Sequence, residues 1–311
     1  MTEPALISIV VPAFNESAGI QTTIRTLATV MLGTGHPSEI LVVDDGSRDG
    51  TYDRAAEVAI DGVAVRAFRL SRNFGKEAAL LAGLRQARGA AVITIDADLQ
   101  HPPSLIPAMI EGWRQGAQVV HGIKRDRGEE SWFATTRAKI VNGLLTRLGE
   151  IDLQKASDYK LLDRAAVDVL TLSMPERNRL YRGLASWIGF PQISLEFDVA
   201  PRQTGQSAWS LRALLGLTLT AMVSFTSTPL RIVTVMGMLT FALGFAIGTE
   251  ALWVWAHGRS ASGFTTVIIT LLLIGSFIMV SLGIIGEYIA KIYEEVKRRP
   301  EFIIDRSHEN S

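Results

Sequence analysis

The chain contains no cysteine among its 311 residues. That excludes disulfides, thiolate metal sites and a cysteine nucleophile, and it leaves the compartment open. Neither sign of charge is in excess, because 31 Lys and Arg balance 31 Asp and Glu. A bulk electrostatic case for nucleic-acid binding therefore fails, and no nucleic-acid partner is expected. No glycine-rich stretch of the GxGxxG or GxxxxGK type occurs, which argues against dinucleotide and P-loop chemistry. The apolar share is 48%, too high for the disordered class. No signal peptide is read at the start, because the first apolar run, residues 6–11, is too short for a signal core.

Two long uncharged runs stand out near the other end, at residues 232–249 and 264–286. Each meets the roughly 18 to 20 residues needed to cross a bilayer. A pair of buried core helices is the alternative, but two such runs rarely share one soluble domain. Trp253 and Trp255 close the first run as an aromatic belt does, and Gly237, Gly244 and Gly248 suit close helix contact. The connecting loop carries Arg259, whereas the outer flanks carry Arg212, Arg231, Lys291, Lys297, Arg298 and Arg299. The positive-inside rule then predicts an integral membrane protein of the cell inner membrane, with both termini and the N-terminal domain in the cytoplasm. Residues 210–228 carry apolar side chains at helical spacing with Arg212 as a lone charge. That pattern predicts an amphipathic helix lying in the interface, or else an ordinary core-facing helix. The expected division is 1–209, 210–228, 229–290 for the two spans, and 291–311 as a cytoplasmic tail.

The first part alternates short β-branched runs with segments of helical spacing. Strands are expected near residues 6–11, 40–43, 63–70, 90–95 and 119–120, and helices near 18–32, 51–59, 76–87 and 103–115. This order predicts an α/β domain with a mostly parallel sheet covered by helices. Such sheets bind ligands at the carboxyl ends of their strands. The polar clusters fall there: Asn15 and Glu16 after the first strand, Asp44 and Asp45 after the second, Asp96 and Asp98 after the fourth.

Two carboxylates one residue apart, leaving a buried strand, suit a hard divalent ion on a diphosphate. Asp96 and Asp98 meet that description, and Gln100 adds a neutral oxygen. Asp44 can accept hydrogen bonds from a base or ribose, whereas Asp49 and Thr51 read as a turn and helix cap. Lys76 opens a helix where it can face a phosphate, or it is an exposed cap residue. Asp158 stands just ahead of an apolar run and can lie beside a reacting group. Residues 132–148 form a basic amphipathic pattern, with Arg137, Lys139 and Arg147 flanking an apolar face. It suits a helix on an anionic lipid surface or a core or oligomer-interface helix equally.

Taken together, the run from Val11 to Glu16, the run from Asp44 to Thr51, Arg72 to Gly83, Asp96 to Pro103, Ser157 to Arg164, Arg182 to Leu184 and Trp187 to Phe190 resemble glycosyltransferase family 2 with the GT-A, Rossmann-like fold. Within it they resemble the polyprenyl-phosphate glycosyltransferases, meaning the bactoprenol glucosyltransferases and dolichol-phosphate mannose synthase-like enzymes. The resemblance implies a nucleotide-sugar donor, a polyprenyl phosphate acceptor in the bilayer, Mg²⁺ or Mn²⁺, and a homo-oligomer. It implies that Pro12, Ala13, Asn15, Glu16, Asp44, Lys76, Asp96, Ala97, Asp98 and Arg202 hold the nucleotide-sugar. Asp96, Asp98 and Gln100 would hold the metal, and Lys124, Arg125 and Arg137 the acceptor phosphate. Asp158 would orient the acceptor or act as a weak base, since a phosphate monoester is already anionic near neutral pH. UDP-glucose is the expected donor and inversion the expected outcome, with GDP-mannose as an alternative. The family's mobile loop usually carries Lys where this sequence has Ala208. A processive synthase would need more spans, and a non-catalytic scaffold would not need Asp96, Asp98 and Gln100 intact.

Overall fold

The computed structural model describes residues 4–124, 158–174, 181–197, 228–257 and 263–310. Eight strands among these form one sheet: β1 (Ile7–Ala13), β2 (Ser38–Asp44), β3 (Val63–Leu70), β4 (Ala91–Thr94), β5 (Val119–Lys124), β6 (Lys160–Asp163), β7 (Gln192–Phe197) and β8 (Ile304–Asn310). Their order is β7-β5-β6-β4-β1-β2-β3-β8. The middle four strands, β4-β1-β2-β3, run parallel. β6 is antiparallel to both β4 and β5, β7 is parallel to β5, and β8 is antiparallel to β3. This is a GT-A, Rossmann-like α/β sheet, mostly parallel at its centre.

Every residue of β1, β2 and β4 is buried, as expected of parallel strands covered on both faces. The period of two sorts their side chains between two layers. Ile7, Ile9, Val11, Ile40 and Val42 join Ile20, Ile24, Leu27 and Met31 of α1 (Ile20–Thr34) and Ile106, Met109 and Ile110 of α4 (Ile106–Arg114) in one core. Val10 faces the other way, toward α3 (Lys76–Gln86). There Gly83 lets the helix lie on the strand, because a Cβ at that position would sit 2.2 Å from Val10 Cγ1. The other described helices of this unit are the short α2 (Thr51–Ala56), α5 (Arg164–Asp168), which runs into a π-turn (Val169–Ser173), and α6 (Tyr181–Trp187). The expected helix at 103–115 is split, with a 3₁₀ turn at Pro103–Leu105 leading into α4.

The sheet, its helices and the segment after Arg299 make one compact unit, and two long helices make another. These are α7 (Thr228–Ala256) and α8 (Phe264–Val296), both long and apolar enough to cross a membrane. They lie against each other, and side chains such as Phe241, Leu271 and Met279 are exposed. The interfacial helix expected at 210–228 lies outside the described residues.

The segment expected as a cytoplasmic tail includes a strand of the sheet, which the sequence reading did not expect. Helix α8 continues to Val296, and β8 then joins the sheet edge beside β3. Glu309 pairs with Arg88 and Arg66, and the Asn310 side-chain amide donates to the carbonyls of Ala56 and Val58. An edge strand presents unpaired N–H and C=O groups, and a strand laid on it satisfies them. Nothing in the polarity of IDRSHEN announces a strand, because its side chains stay largely exposed and its backbone makes the pairing.

Candidate active site

The site is assembled at the carboxyl edge of the parallel strands. After β1 the chain turns at Asn15, whose φ of 55° is uncommon for a residue with a side chain. The loop after β2 holds that turn. Ser47 Oγ accepts the Asn15 N–H at 2.8 Å, Thr51 Oγ1 accepts the Glu16 N–H at 2.9 Å, and Asp49 accepts the Ser17 N–H at 3.0 Å. Burial opposes the charge of Asp49, but hydrogen bonds from Thr51 and Ser17 prevail and hold its carboxyl down at about 2. Asp49 and Thr51 are thus the structural pair that the sequence suggested.

The adjacent aspartates are held in different surroundings. Asp44 is buried, accepts the Ser47 N–H at 3.1 Å and stands 3.7 Å from Arg69 Nε. It does not line the cavity; Asp45 does. Asp45 accepts the N–H groups of Phe74 and Gly75 at 2.7 and 2.8 Å. Burial raises its pKa, and those two donors oppose the rise. Gly46 makes the approach possible: its φ is 71°, and a Cβ there would meet the Arg72 carbonyl carbon at 2.5 Å. The β2 turn therefore fixes the loop that starts α3, and with it Lys76.

Lys76 Nζ lies 2.6 Å from Asp96 Oδ1 and 2.6 Å from Asp158 Oδ2. Burial works against its charge, but the two carboxylates prevail and raise its pKa. Asp158 reaches this place because β6 runs antiparallel to β4, with Lys160 opposite Thr94. The start of β6 therefore meets the end of β4, and residues 62 positions apart in the chain become neighbours.

Asp96, Asp98 and His101 each bring a ligand atom within 4.8 Å of the others. Leu99, between them, has φ 54°, an uncommon conformation for a bulky residue and one found at functional turns. Asp98 accepts the Gln100 N–H at 3.1 Å. His101 was not expected in the site. Its ring packs on Tyr159 and Phe197, its Nδ1 is buried with no hydrogen-bond partner among the described residues, and burial lowers its pKa. Neutral imidazole nitrogen and carboxylate oxygen are both donors that Mn²⁺ accepts, so the set fits a divalent ion. The spacing of Asp98 and His101 was a signal, but placing the ring needed the aromatic contacts. Glu16 adds to the demand for a cation: burial, then Asp98, Asp49 and Asp96, raise its pKa.

A cavity of about 330 Å³ opens between these groups. Pro12, Ala13, Glu16, Lys76, Asp96, Ala97 and Asp98 line it, as the sequence suggested, together with Phe14, Asp45, Asn73, Gly75 and Ala79. Asn15 is not in the wall; its side chain instead accepts the Arg48 N–H at 3.3 Å. Gln100 follows the acidic pair without lining the cavity, and Lys124 is exposed at the end of β5. Arg125, Arg137, Arg202, Ala208 and the segment 132–148 lie outside the described residues. The cavity thus offers carboxylates that can share a cation, the Lys76 ammonium, and a wall of backbone and small side chains. That chemistry suits a diphosphate carried on a divalent ion.

Comparison with known proteins agrees with this architecture. The pattern of glycosyl transferase family 2 matches residues 8–172, and that of the GtrB C-terminal hairpin matches residues 228–292. The chain belongs to glycosyl transferase family 2. It is 34% identical to the bactoprenol glucosyl transferase of Shigella phage SfII over 307 residues, covering 97% of this chain and 98% of that one. It is also 34% identical to the prophage bactoprenol glucosyl transferase homolog of Escherichia coli (strain K12), over 96% of this chain and 98% of the relative. Among solved structures, glucosyl-3-phosphoglycerate synthase from Mycobacterium tuberculosis aligns over 70% of this chain and 78% of its own, at 22% identity and a TM-score of 0.46.

Proposed function

We propose that this glycosyltransferase moves glucose from UDP-glucose to undecaprenyl phosphate, with inversion, at the cytoplasmic face of the inner membrane. The product is a polyprenyl-monophosphate sugar for later surface glycan or lipid modification. The observation that carries the reading is the nearly end-to-end match to bactoprenol glucosyl transferases, which spans the acidic cavity and the paired apolar helices alike.

In this reading the cavity holds the nucleotide-sugar, with its diphosphate toward Asp96 and Asp98. Mg²⁺ or Mn²⁺, held by Asp96 and Asp98 with His101 or Gln100, supplies charge neutralisation for the departing nucleoside diphosphate. Lys76 turns part of its charge to the same phosphates, and Arg202, on the family resemblance, adds to the charge that holds them. Lys124, Arg125 and Arg137 receive the acceptor phosphate. That acceptor is already an anion, so Asp158 serves by orientation more than by taking a proton. Attack of the phosphate oxygen on the anomeric carbon then forms one C–O bond as the bond to the diphosphate breaks, which inverts the centre.

The test uses full-length protein in detergent, undecaprenyl phosphate, and separately radiolabelled UDP-glucose, UDP-N-acetylglucosamine and GDP-mannose, with Mn²⁺ or with EDTA. Label entering the organic phase from UDP-glucose alone, and lost with EDTA or with Asp98→Ala, is the expected result. Label from GDP-mannose instead overturns the donor assignment. Label that persists in EDTA overturns the metal. No label from any donor, with UDP still bound, overturns the acceptor.

A further inference from the structure

Behind Asp158 lies a buried circuit that the transfer reaction does not itself require. The β4–β6 ladder ends at Thr94 and Lys160, and from there the Thr94 side chain takes over. Thr94 Oγ1 donates to the Asp158 carbonyl at 2.5 Å and lies 2.9 Å from the Tyr181 hydroxyl. A threonine hydroxyl has one proton, and here the carbonyl takes it. The Tyr181 O–H must therefore donate to Thr94. Burial holds the phenol well above its ordinary pKa, so it stays a donor throughout the working range.

Tyr181 is also tied to the other side of Asp158. Its backbone N–H donates to Glu77 at 3.0 Å, and Glu77 follows Lys76, whose ammonium grips the Asp158 carboxylate. Lys160 Nζ sits 5.1 Å from the centre of the Tyr181 ring. Asp158 is thus held at its carbonyl through β4 and at its carboxylate through α3, and both routes return to one residue at the start of α6. Thr94, Lys160 and Tyr181 are all buried.

We propose that Tyr181, acting through the Thr94 hydroxyl, is a positioning residue that sets Asp158 against Lys76 for sugar transfer. The inference rests on the reading of Asp158 given above. Tyr181 is buried and does not line the cavity, so its effect passes through the placement of the aspartate. A side chain misplaced by about an ångström costs about ten- to a hundredfold in rate when its role is orientation.

Tyr181→Phe removes one oxygen and leaves the ring over Lys160. Thr94→Val keeps the shape and removes the donor, and Thr94→Ser restores it. The expected result is a kcat lowered about tenfold or more in Tyr181→Phe and Thr94→Val, with KM for UDP-glucose unchanged and kcat restored in Thr94→Ser. In an Asp158→Asn background the Thr94→Val change should cost no further kcat, because the group it positions is already gone. A kcat equal to wild type in both variants overturns the proposal. So does a loss from Thr94→Val that is equal in the native and the Asp158→Asn backgrounds, and so does a loss that Thr94→Ser fails to restore. If Tyr181→Phe does not fold, the Thr94 pair decides alone. A wild-type protein that moves no sugar to the lipid phosphate overturns the functional reading, and this inference with it; active wild type with indifferent variants overturns the inference only.

Discussion

Replacing Asp45 with Ala tests whether the β2 turn organises the donor cavity. In the native chain its two oxygens accept the N–H groups of Phe74 and Gly75 at 2.7 and 2.8 Å. Hydrogen bonds to a charged acceptor contribute about 1.5–3 kcal/mol each, so the pair holds up to about 6 kcal/mol. Phe74 and Gly75 are only half-buried, and water reaches part of what the carboxylate leaves. A net loss of about 3 kcal/mol follows, half of that ceiling. For a domain of this size that is a fall of about 6–12 °C in melting temperature. The loop must then be ordered when the donor binds. If half of the loss falls on binding, UDP affinity weakens about tenfold. Asp45→Asn, which keeps one acceptor oxygen, should lie between. The assay is calorimetric UDP binding together with a thermal melt, both on the full chain in detergent. An Asp45→Ala protein with native melting temperature and native UDP affinity would refute the reasoning.

Three further outcomes are expected. Glu39 is buried and accepts from Ser8, the Arg88 N–H and Arg66, so Glu39→Ala leaves the buried Arg66 guanidinium only the Gln86 carbonyl and Glu309, and should cost about 2–3 kcal/mol in urea unfolding; a cost under about 1 kcal/mol would show the pair to be dispensable. Burial and the charge of Lys160 push the His121 imidazole down to about 4. The unfolded chain protonates it near 6.5, so stability is complete above that pH and falls on the order of 3 kcal/mol as pH drops through 6.5 toward 4. His121→Gln should flatten that part of the melting-temperature profile, and an unchanged slope would contradict the assignment. Gly83→Ala should destabilise by about 1–3 kcal/mol through its clash with Val10, and Val10→Ala in the same chain should recover part of the loss; strictly additive effects would rule out the contact.

Much of the catalytic half was legible because local signals are strong there. β1 to β4 and the helices between them were readable from apolar runs closed by polar clusters, and most of their ends shifted by only a few residues. Glu16, Lys76, Asp96 and Asp98 were legible for the same reason, since each follows the carboxyl end of a strand or opens a helix, whereas Pro12 and Ala13, inside β1, came from the family resemblance. Asp44 and Asp45 were harder. Which of two adjacent carboxylates lines the cavity depends on where the strand ends and how the turn after it is wound. His101 was passed over because its partners Tyr159 and Phe197 are far along the chain.

The order of residues alone carries the class of fold, the acidic edge and the two long apolar helices. Each of these is written in composition or in short-range spacing, which the backbone's two periods convert directly into faces and lengths. Long-range packing was needed to bring Asp158 to Lys76, to stand Tyr181 behind it, and to lay the polar end of the chain along the sheet. Those facts depend on antiparallel strands inserted from distant segments. Pairing of that kind uses backbone groups common to every residue, so the side-chain pattern carries little record of the partner.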